Sequence, residues 1–290
     1  MARRFVAGET LDDAVSAARG MNRAGQSASL DLLGENVSDE AGARRAAEGY
    51  IAIFDRIAAE KLEANVSLKL TQLGLDLDRS PCQELLEKII THAMEQGNFV
   101  RVDMEGSAYT ERTVEMVKRV RAKYAGVGTV MQSYLYRTED DIRNLLAAAC
   151  RIRLCKGAYK EPPEIAFAKK EDVDANYVKL MKLLLSSGIY HGIATHDPAM
   201  IRATKDFARE KSIARDRFEF QMLYGIRTDL QRQLVREGYR LRVYIPFGTD
   251  WFPYFMRRLA ERPANLAFFL RNLLPRAGRG TQNSQEHAPH

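Results

Sequence analysis

The sequence predicts one β/α barrel of the (βα)8 kind, the TIM-barrel class, with its active site at the C-terminal ends of the strands. Three observations carry this. Eight short apolar runs of strand length alternate with longer segments of helical periodicity. Strands that alternate with helices pair in parallel through right-handed crossovers, and eight such units favour closure. The chain has 290 residues, against roughly 250 for a typical barrel of this kind. Length alone also allows two small domains. An open doubly wound sheet is the alternative fold. It is weakened because no GxGxxG follows the first strand and no GxxxxGK[ST] occurs anywhere.

The first element is a helix over 10–24. Strands follow near Ser29–Gly34, Asn65–Thr71, Phe99–Glu105, Gly128–Tyr134, Ile152–Gly157, His191–His196, Arg217–Leu223 and Leu241–Phe247. Between them, helices are expected near Asp39–Glu60, Gln83–Gln96, Glu111–Lys123, Thr138–Ala149, Asp174–Ser186, Ala199–Glu210 and Arg227–Glu237. A last helix runs from Tyr254 to Leu273. Ser38-Asp39-Glu40 reads as a helix start, and Thr138 with Asp141 three residues on reads as a capping box. Gly97, Gly126, Gly188 and Gly238 each follow a helix, where a left-handed residue commonly ends it. The domain reading is an N-terminal helical segment over 1–27, the barrel over 28–274 and a disordered tail over 275–290, which is rich in Gly, Gln, Asn and His.

Composition narrows the classes. Apolar residues make up 46% and charged residues 28%, as in ordinary globular proteins. The formal charge of +6 is spread along helices and not gathered with aromatics on one face, which argues against nucleic acid. A weak attraction to anionic membrane surfaces stays open. No stretch approaches the ~18 uncharged apolar residues of a spanning helix, and the start, Met1-Ala2-Arg3-Arg4-Phe5, leads into no apolar signal core. Three cysteines without a CxxC fit a reducing, cytoplasmic location and no structural zinc. The Asn36-Val37-Ser38 and Asn65-Val66-Ser67 sequons then carry no consequence.

The strand ends are unusually polar. They offer Asp31 and Glu35, Lys69 and Thr71, Asp103 and Glu105, Gln132, Arg153 and Lys156, Thr195 and His196, Glu219 and Gln221, and Tyr244. Any one of these can be a structural barrel residue. Converging as a set they point to a ligand, because buried charge is costly unless paired. In Arg153-Leu154-Cys155-Lys156-Gly157-Ala158-Tyr159, alternation puts Arg153 and Cys155 on one face, with Leu154 and Lys156 on the other. Gly157 and Ala158 then let backbone approach a ligand. Lys69 and Asp103, from neighbouring strand ends, are expected to interact. No HxxxH or HxH supports a metal. On the last helix Arg257 and Arg258 diverge by about 100°, yet their forks can converge on a small anion. Tyr254 shares the face of Arg258, and Glu261 can hold it. Cations at the start of a helix ask for an anion to offset the dipole.

In this order these pieces resemble the proline dehydrogenases, flavin enzymes that begin proline breakdown. The resemblance covers Leu30 to Leu274. It rests on Ser67-Leu68-Lys69-Leu70, Val102-Asp103-Met104-Glu105, the Arg153–Tyr159 segment, Ala194-Thr195-His196, Phe218-Glu219-Phe220-Gln221 and Tyr254-Phe255-Met256-Arg257-Arg258. It implies a distorted barrel holding FAD, with the last helix over the mouth. It implies that Arg257 and Arg258 bind the proline carboxylate, that Lys69, Tyr159, Tyr244 and Tyr254 help enclose the ring, and that Leu154 packs on it. Arg153 and Asp103 take catalytic positions near the flavin. Met104, Gln132, Arg153, Lys156, Gly157, Ala158, Thr195 and His196 match cofactor contacts. The implied reaction oxidises L-proline to 1-pyrroline-5-carboxylate and passes electrons to a membrane quinone. Hand-off to pyrroline-5-carboxylate dehydrogenase and peripheral attachment at the inner face of the membrane are implied as well. The chain departs from the family's pattern at Cys155, where an aliphatic residue is expected, and over Thr249–Pro253. Two other readings of the same residues stand beside this one. One is a Schiff-base aldolase with Lys69 or Lys156 as nucleophile. The other is a non-catalytic anion-binding module.

Overall fold

The computed structural model describes residues 4–260, with side chains through Arg257. Its strands are β1 (Ser27–Leu32), β2 (Ala64–Leu68), β3 (Val100–Val102), β4 (Val127–Gln132), β5 (Arg151–Cys155), β6 (His191–Ala194), β7 (Phe218–Leu223) and β8 (Arg240–Phe247). They pair in parallel in sequence order and close as a barrel. The β1–β8 seam sets Ala28 opposite Val243 and Leu30 opposite Ile245. The helices are α1 (Leu11–Arg23), α2 (Glu40–Ala59), α3 (Arg79–Glu95), α4 (Ser107–Lys123), α5 (Thr138–Ala147), α6 (Lys170–Ser186), α7 (Pro198–Glu210), α8 (Thr228–Arg236) and α9 (Trp251–Ala260).

Strand alternation divides the residues between two environments. Ala28, Leu30, Val66, Leu68, Val100, Val102, Ile152, Leu154, Leu241 and Val243 belong to the apolar core shared with the helices. The residues between them form a polar interior. Arg153 sits at its centre. Nη1 donates to Asp103 Oδ1 at 2.8 Å, Nη2 to Ser67 Oγ at 3.1 Å and Ser29 Oγ at 3.4 Å, and Nε to Gln221 Oε1. One guanidinium from β5 thus ties β1, β2, β7 and the residue that follows β3. Gly192 gives Gln221 its room, since a Cβ there would lie 2.4 Å from the amide nitrogen.

Several boundaries differ from the sequence reading. β2 ends at Leu68, and the chain enters a 3-10 turn over Leu70–Leu73. Side-chain bonds replace the ladder there, with Lys69 turned to Asp31 and Thr71 to Glu105. Thr138 is not a cap. Arg137 precedes α5 without a side-chain cap bond, Thr138 Oγ1 donates to Gln132 O, and Asp141 is paired with Arg137 at 2.7 Å. Gly97, Gly188 and Gly238 do take positive φ, whereas Gly126 does not, because α4 ends in an extended Tyr124. α9 begins at Trp251 and takes Pro253 into its first turn, where the missing N–H costs nothing. This moves Arg257 to the second turn, so the dipole argument for it falls. The expected reach of the last helix to Leu273, and the tail over 275–290, lie outside the described residues. α1 precedes β1 as expected and opens on a capping box of Thr10 and Asp13.

Candidate active site

The C-terminal ends of the strands surround a cavity of about 540 Å³. Of the residues expected at a site, Lys69, Asp103, Met104, Arg153, Lys156, Gly157, Ala158, Tyr159, Thr195, His196, Tyr244, Tyr254 and Arg257 all line it. Two do not. Leu154 is fully buried in the core between strands and helices, as its parity opposite Arg153 requires. Gln132 is spent on the backbone, its Nε2 donating to Glu105 O at 2.8 Å. The side chain of Arg258 lies outside the described residues, and so does Glu261.

At the floor, Asp103 accepts from Arg153 and, through Oδ2, from Tyr244 Oη at 2.8 Å. The Tyr244 ring lies under the Arg153 guanidinium, 5.1 Å from its centroid. Burial and the nearby Asp103 and Asp31 carboxylates push the Tyr244 phenol well above its ordinary pKa, so it donates as a neutral group. The partner of Lys69 is not Asp103 but Asp31, at 3.1 and 3.4 Å. Burial alone lowers a lysine pKa. Here the Asp31 and Asp103 carboxylates outweigh it and hold Lys69 above its ordinary value. A protonated, ion-paired lysine is the opposite of a Schiff-base nucleophile, which needs a free amine. Glu105 lies behind Thr71, accepting from its Oγ1 at 2.6 Å, and burial pushes its carboxyl up to about 6.

One wall is built by the turn after β5. Lys156 Nζ reaches Asp197 at 2.8 Å and also pairs with Asp174 of α6. Asp197 caps α7. His196 Nε2 accepts from Leu223 N at 2.9 Å, which fixes its ring and its tautomer. Gly157 has φ +124, and a Cβ there would lie 2.4 Å from the Tyr134 ring. The opposite wall is α9. Tyr254 and Phe255 pack with Phe5, Val6 and Leu33, which seats the helix across the mouth. Arg257 then stacks over Tyr159 at 5.5 Å and forks onto Glu35 at 2.6 and 3.3 Å. The carboxylate that pairs with Arg257 here is Glu35, in the loop after β1.

Asp31, Glu35 and Gln221 were legible as polar strand ends without an assigned role. Asp174 and Asp197 gave no signal, since only the fold brings α6 and α7 to Lys156. Glu219 is no rim residue. It sits at the start of β7 and faces the other end of the barrel with Arg242, at 2.8 Å.

The lining residues suit FAD. Gly157 and Ala158 line the cavity with little side-chain bulk, so backbone can meet a ligand there, and Lys156, His196 and Thr195 place a cation and polar groups beside it. The sequence profile of the proline dehydrogenase family matches residues 14–271. Proline dehydrogenase 1 of Bacillus subtilis is 45% identical over 273 residues, covering 94% of this chain and 90% of the relative. Proline dehydrogenase of Deinococcus radiodurans is 41% identical over 280 residues, with the same coverage of each chain. The crystal structure of proline utilization A from Bdellovibrio bacteriovorus, inactivated by N-propargylglycine, superposes with a TM-score of 0.85 at 27% identity, covering 93% of this chain and 34% of that longer one. With barrel, mouth and sequence in agreement over nearly the whole chain, this protein belongs to the proline dehydrogenase family of FAD-dependent flavoenzymes.

Proposed function

We propose that this chain oxidises L-proline to 1-pyrroline-5-carboxylate at the barrel mouth. The observation that carries the reading is Arg257, a forked cation held by α9 over the cavity lined by Lys69, Asp103 and Arg153. FAD, when bound, supplies the hydride acceptor. Met104, Gln132, Arg153, Lys156, Gly157, Ala158, Thr195 and His196 would hold it, Gln132 being steadied by its bond to Glu105 O. Arg257, with Arg258 as the expected second fork, takes the proline carboxylate in competition with Glu35. A bidentate carboxylate contact fixes orientation as well as charge, and so aims the ring. Tyr159 and Tyr254 enclose the ring, and Lys69 and Tyr244 complete the floor. Arg153 stabilises negative charge that develops beside it, and Asp103 holds Arg153 and Tyr244 in place.

Electrons pass on to a membrane quinone, and the product goes to pyrroline-5-carboxylate dehydrogenase. The chain works in the cytoplasm with peripheral attachment at the membrane. No helix among the described residues is long and apolar enough to cross a membrane, and the charge of +6 favours an anionic surface. The aldolase reading fails against the ion pairs of Lys69 with Asp31 and of Lys156 with Asp174 and Asp197, and against the family match.

The test is spectroscopic. The purified chain should be yellow with about one FAD per chain. Proline added without oxygen should bleach the visible band, and a soluble quinone should restore it. A colourless protein after reconstitution with FAD, or a band that proline leaves unchanged, contradicts the reading.

A further inference from the structure

The other end of the barrel is also open. Where the strands begin lies a second cavity, of about 740 Å³. The chemistry described above gives it no task. Four cations line it, Lys61, Arg101, Arg151 and Arg242, against two carboxylates, Glu63 and Glu219. Both carboxylates are already engaged, and Glu219 neutralises Arg242. Glu219 accepts from Arg242 Nε at 2.8 Å, Gln221 Nε2 at 2.5 Å and Tyr190 Oη at 3.1 Å. Glu63 accepts from Ser27 Oγ at 2.7 Å.

Arg101 makes no ion pair among the described residues, and Glu219 acts on it only from a distance. Its side chain is almost wholly enclosed, with the residue 3% exposed. Nη1 donates to the carbonyls of Thr129 and Arg151, and Nε has no partner. Burial and the neighbouring Arg153 push its pKa down to about 9, although Glu219 partly offsets them. Phe99 lies beneath it at 5.0 Å, and Arg151 stacks between Phe99 and Tyr190 at 5.4 and 5.7 Å. Aromatic faces hold guanidinium groups in position without neutralising them. Two acceptors on the same cavity wall are also unmet, Asn65 Oδ1 and Gln96 Oε1. Unsatisfied buried polar atoms ask for a partner, and the residues that carry this donor and these two acceptors line one cavity.

We propose that this N-terminal mouth is a second ligand site, selective for an oxyanion that also carries a hydroxyl, the chemistry of hydrogen phosphate. Its anionic oxygens meet Arg101 and Arg151, and its O–H donates to an amide oxygen. Sulfate offers the charge without the hydroxyl, and acetate offers a planar carboxylate without it.

Calorimetry on the FAD-loaded enzyme, at ionic strength fixed with KCl, tests this with inorganic phosphate, sulfate and acetate as separate probes. The expected result is saturable binding of about one phosphate per chain, with sulfate and acetate weaker by on the order of tenfold, as the loss of one hydrogen bond to a charged group implies. Arg101→Met should abolish binding. If that variant does not fold, the exposed Arg151→Ala carries the test and should weaken binding about tenfold with proline turnover unchanged. Arg257→Met should leave phosphate binding intact. No saturable heat beyond KCl, binding that survives Arg151→Ala, equal binding of sulfate, or loss of binding in Arg257→Met would each overturn the assignment.

Discussion

Arg153 shows how far one residue can be read from sequence. Its place on a strand and its inward parity are legible, because alternation fixes both. That its guanidinium is shared among Asp103, Gln221, Ser67 and Ser29 is not. These partners come from other strands, and register around a closed barrel decides which of them meet. The same holds for Lys69. Sequence proximity of strand ends suggests Asp103, whereas the barrel delivers Asp31. Both side chains of that pair are nearly inaccessible, at 7% and 0%, so removing one strands the other. Lys69→Ala and Asp31→Ala should each cost about 3–5 kcal/mol of unfolding free energy, with the double variant well short of the sum. Additive losses in denaturant unfolding would dissolve the pair. Glu105 gives a pH signature. Its carboxyl is raised from 4.5 to about 6, chiefly by burial, so the folded state holds the proton more tightly than the unfolded one. The stabilisation is full below the ordinary value and is lost as pH rises through about 6, amounting to about 2 kcal/mol. Glu105→Gln keeps an acceptor for Thr71 and removes the titration. Between about pH 4 and pH 7 the variant should gain about 2 kcal/mol on the parent, and a pH-independent difference would refute the burial argument.

At the scale of elements, strands and helices follow from periodicity, and their ends do not. Side chains that leave the ladder to meet partners, as at Lys69 and Thr71, shorten a strand without changing its apolar pattern. The turn after β5 is the element on which the cofactor wall depends. Gly157 adopts φ +124 against the face of Tyr134, and Ile165 and Phe167 hold the following loop to the Tyr134–Tyr136 segment by backbone bonds at 3.0 and 2.8 Å. A side chain at Gly157 meets both backbone strain and a ring. Gly157→Ala should therefore cost about 1–3 kcal/mol locally. Its signature is purified protein with a folded barrel by circular dichroism and a lowered FAD content. Full flavin occupancy in that variant would show that the turn has room to spare.

For the molecule as a whole, the N-terminal segment and the last helix are one structure. Phe5 and Val6 pack under Tyr254 and Phe255, with the Phe5 and Phe255 rings 6.1 Å apart. Ala7 N donates to Pro246 O at 2.9 Å, and Gly248 N donates to Gly8 O at 3.0 Å. This role of the N-terminal segment is not legible in the sequence, because nothing local in Phe5-Val6 names a partner some 250 residues on. Phe5→Ala should loosen α9, passing about 1 kcal/mol of lost packing to proline binding. The Michaelis constant should rise about fivefold with flavin content and kcat little changed. An unchanged Michaelis constant would free the helix from its N-terminal support. The central claim is that α9 presents a carboxylate clamp to a flavin cavity, and Arg257→Met tests it most directly. Methionine keeps much of the length and removes the charge and the fork. Steady-state kinetics with proline and with pyrrolidine, which lacks the carboxylate, should show kcat/KM for proline reduced roughly ten- to two-hundred-fold. Flavin should remain bound, and the preference for proline over pyrrolidine should largely disappear. Undiminished preference for proline in this variant would contradict the clamp, and so would activity lost only because FAD is lost.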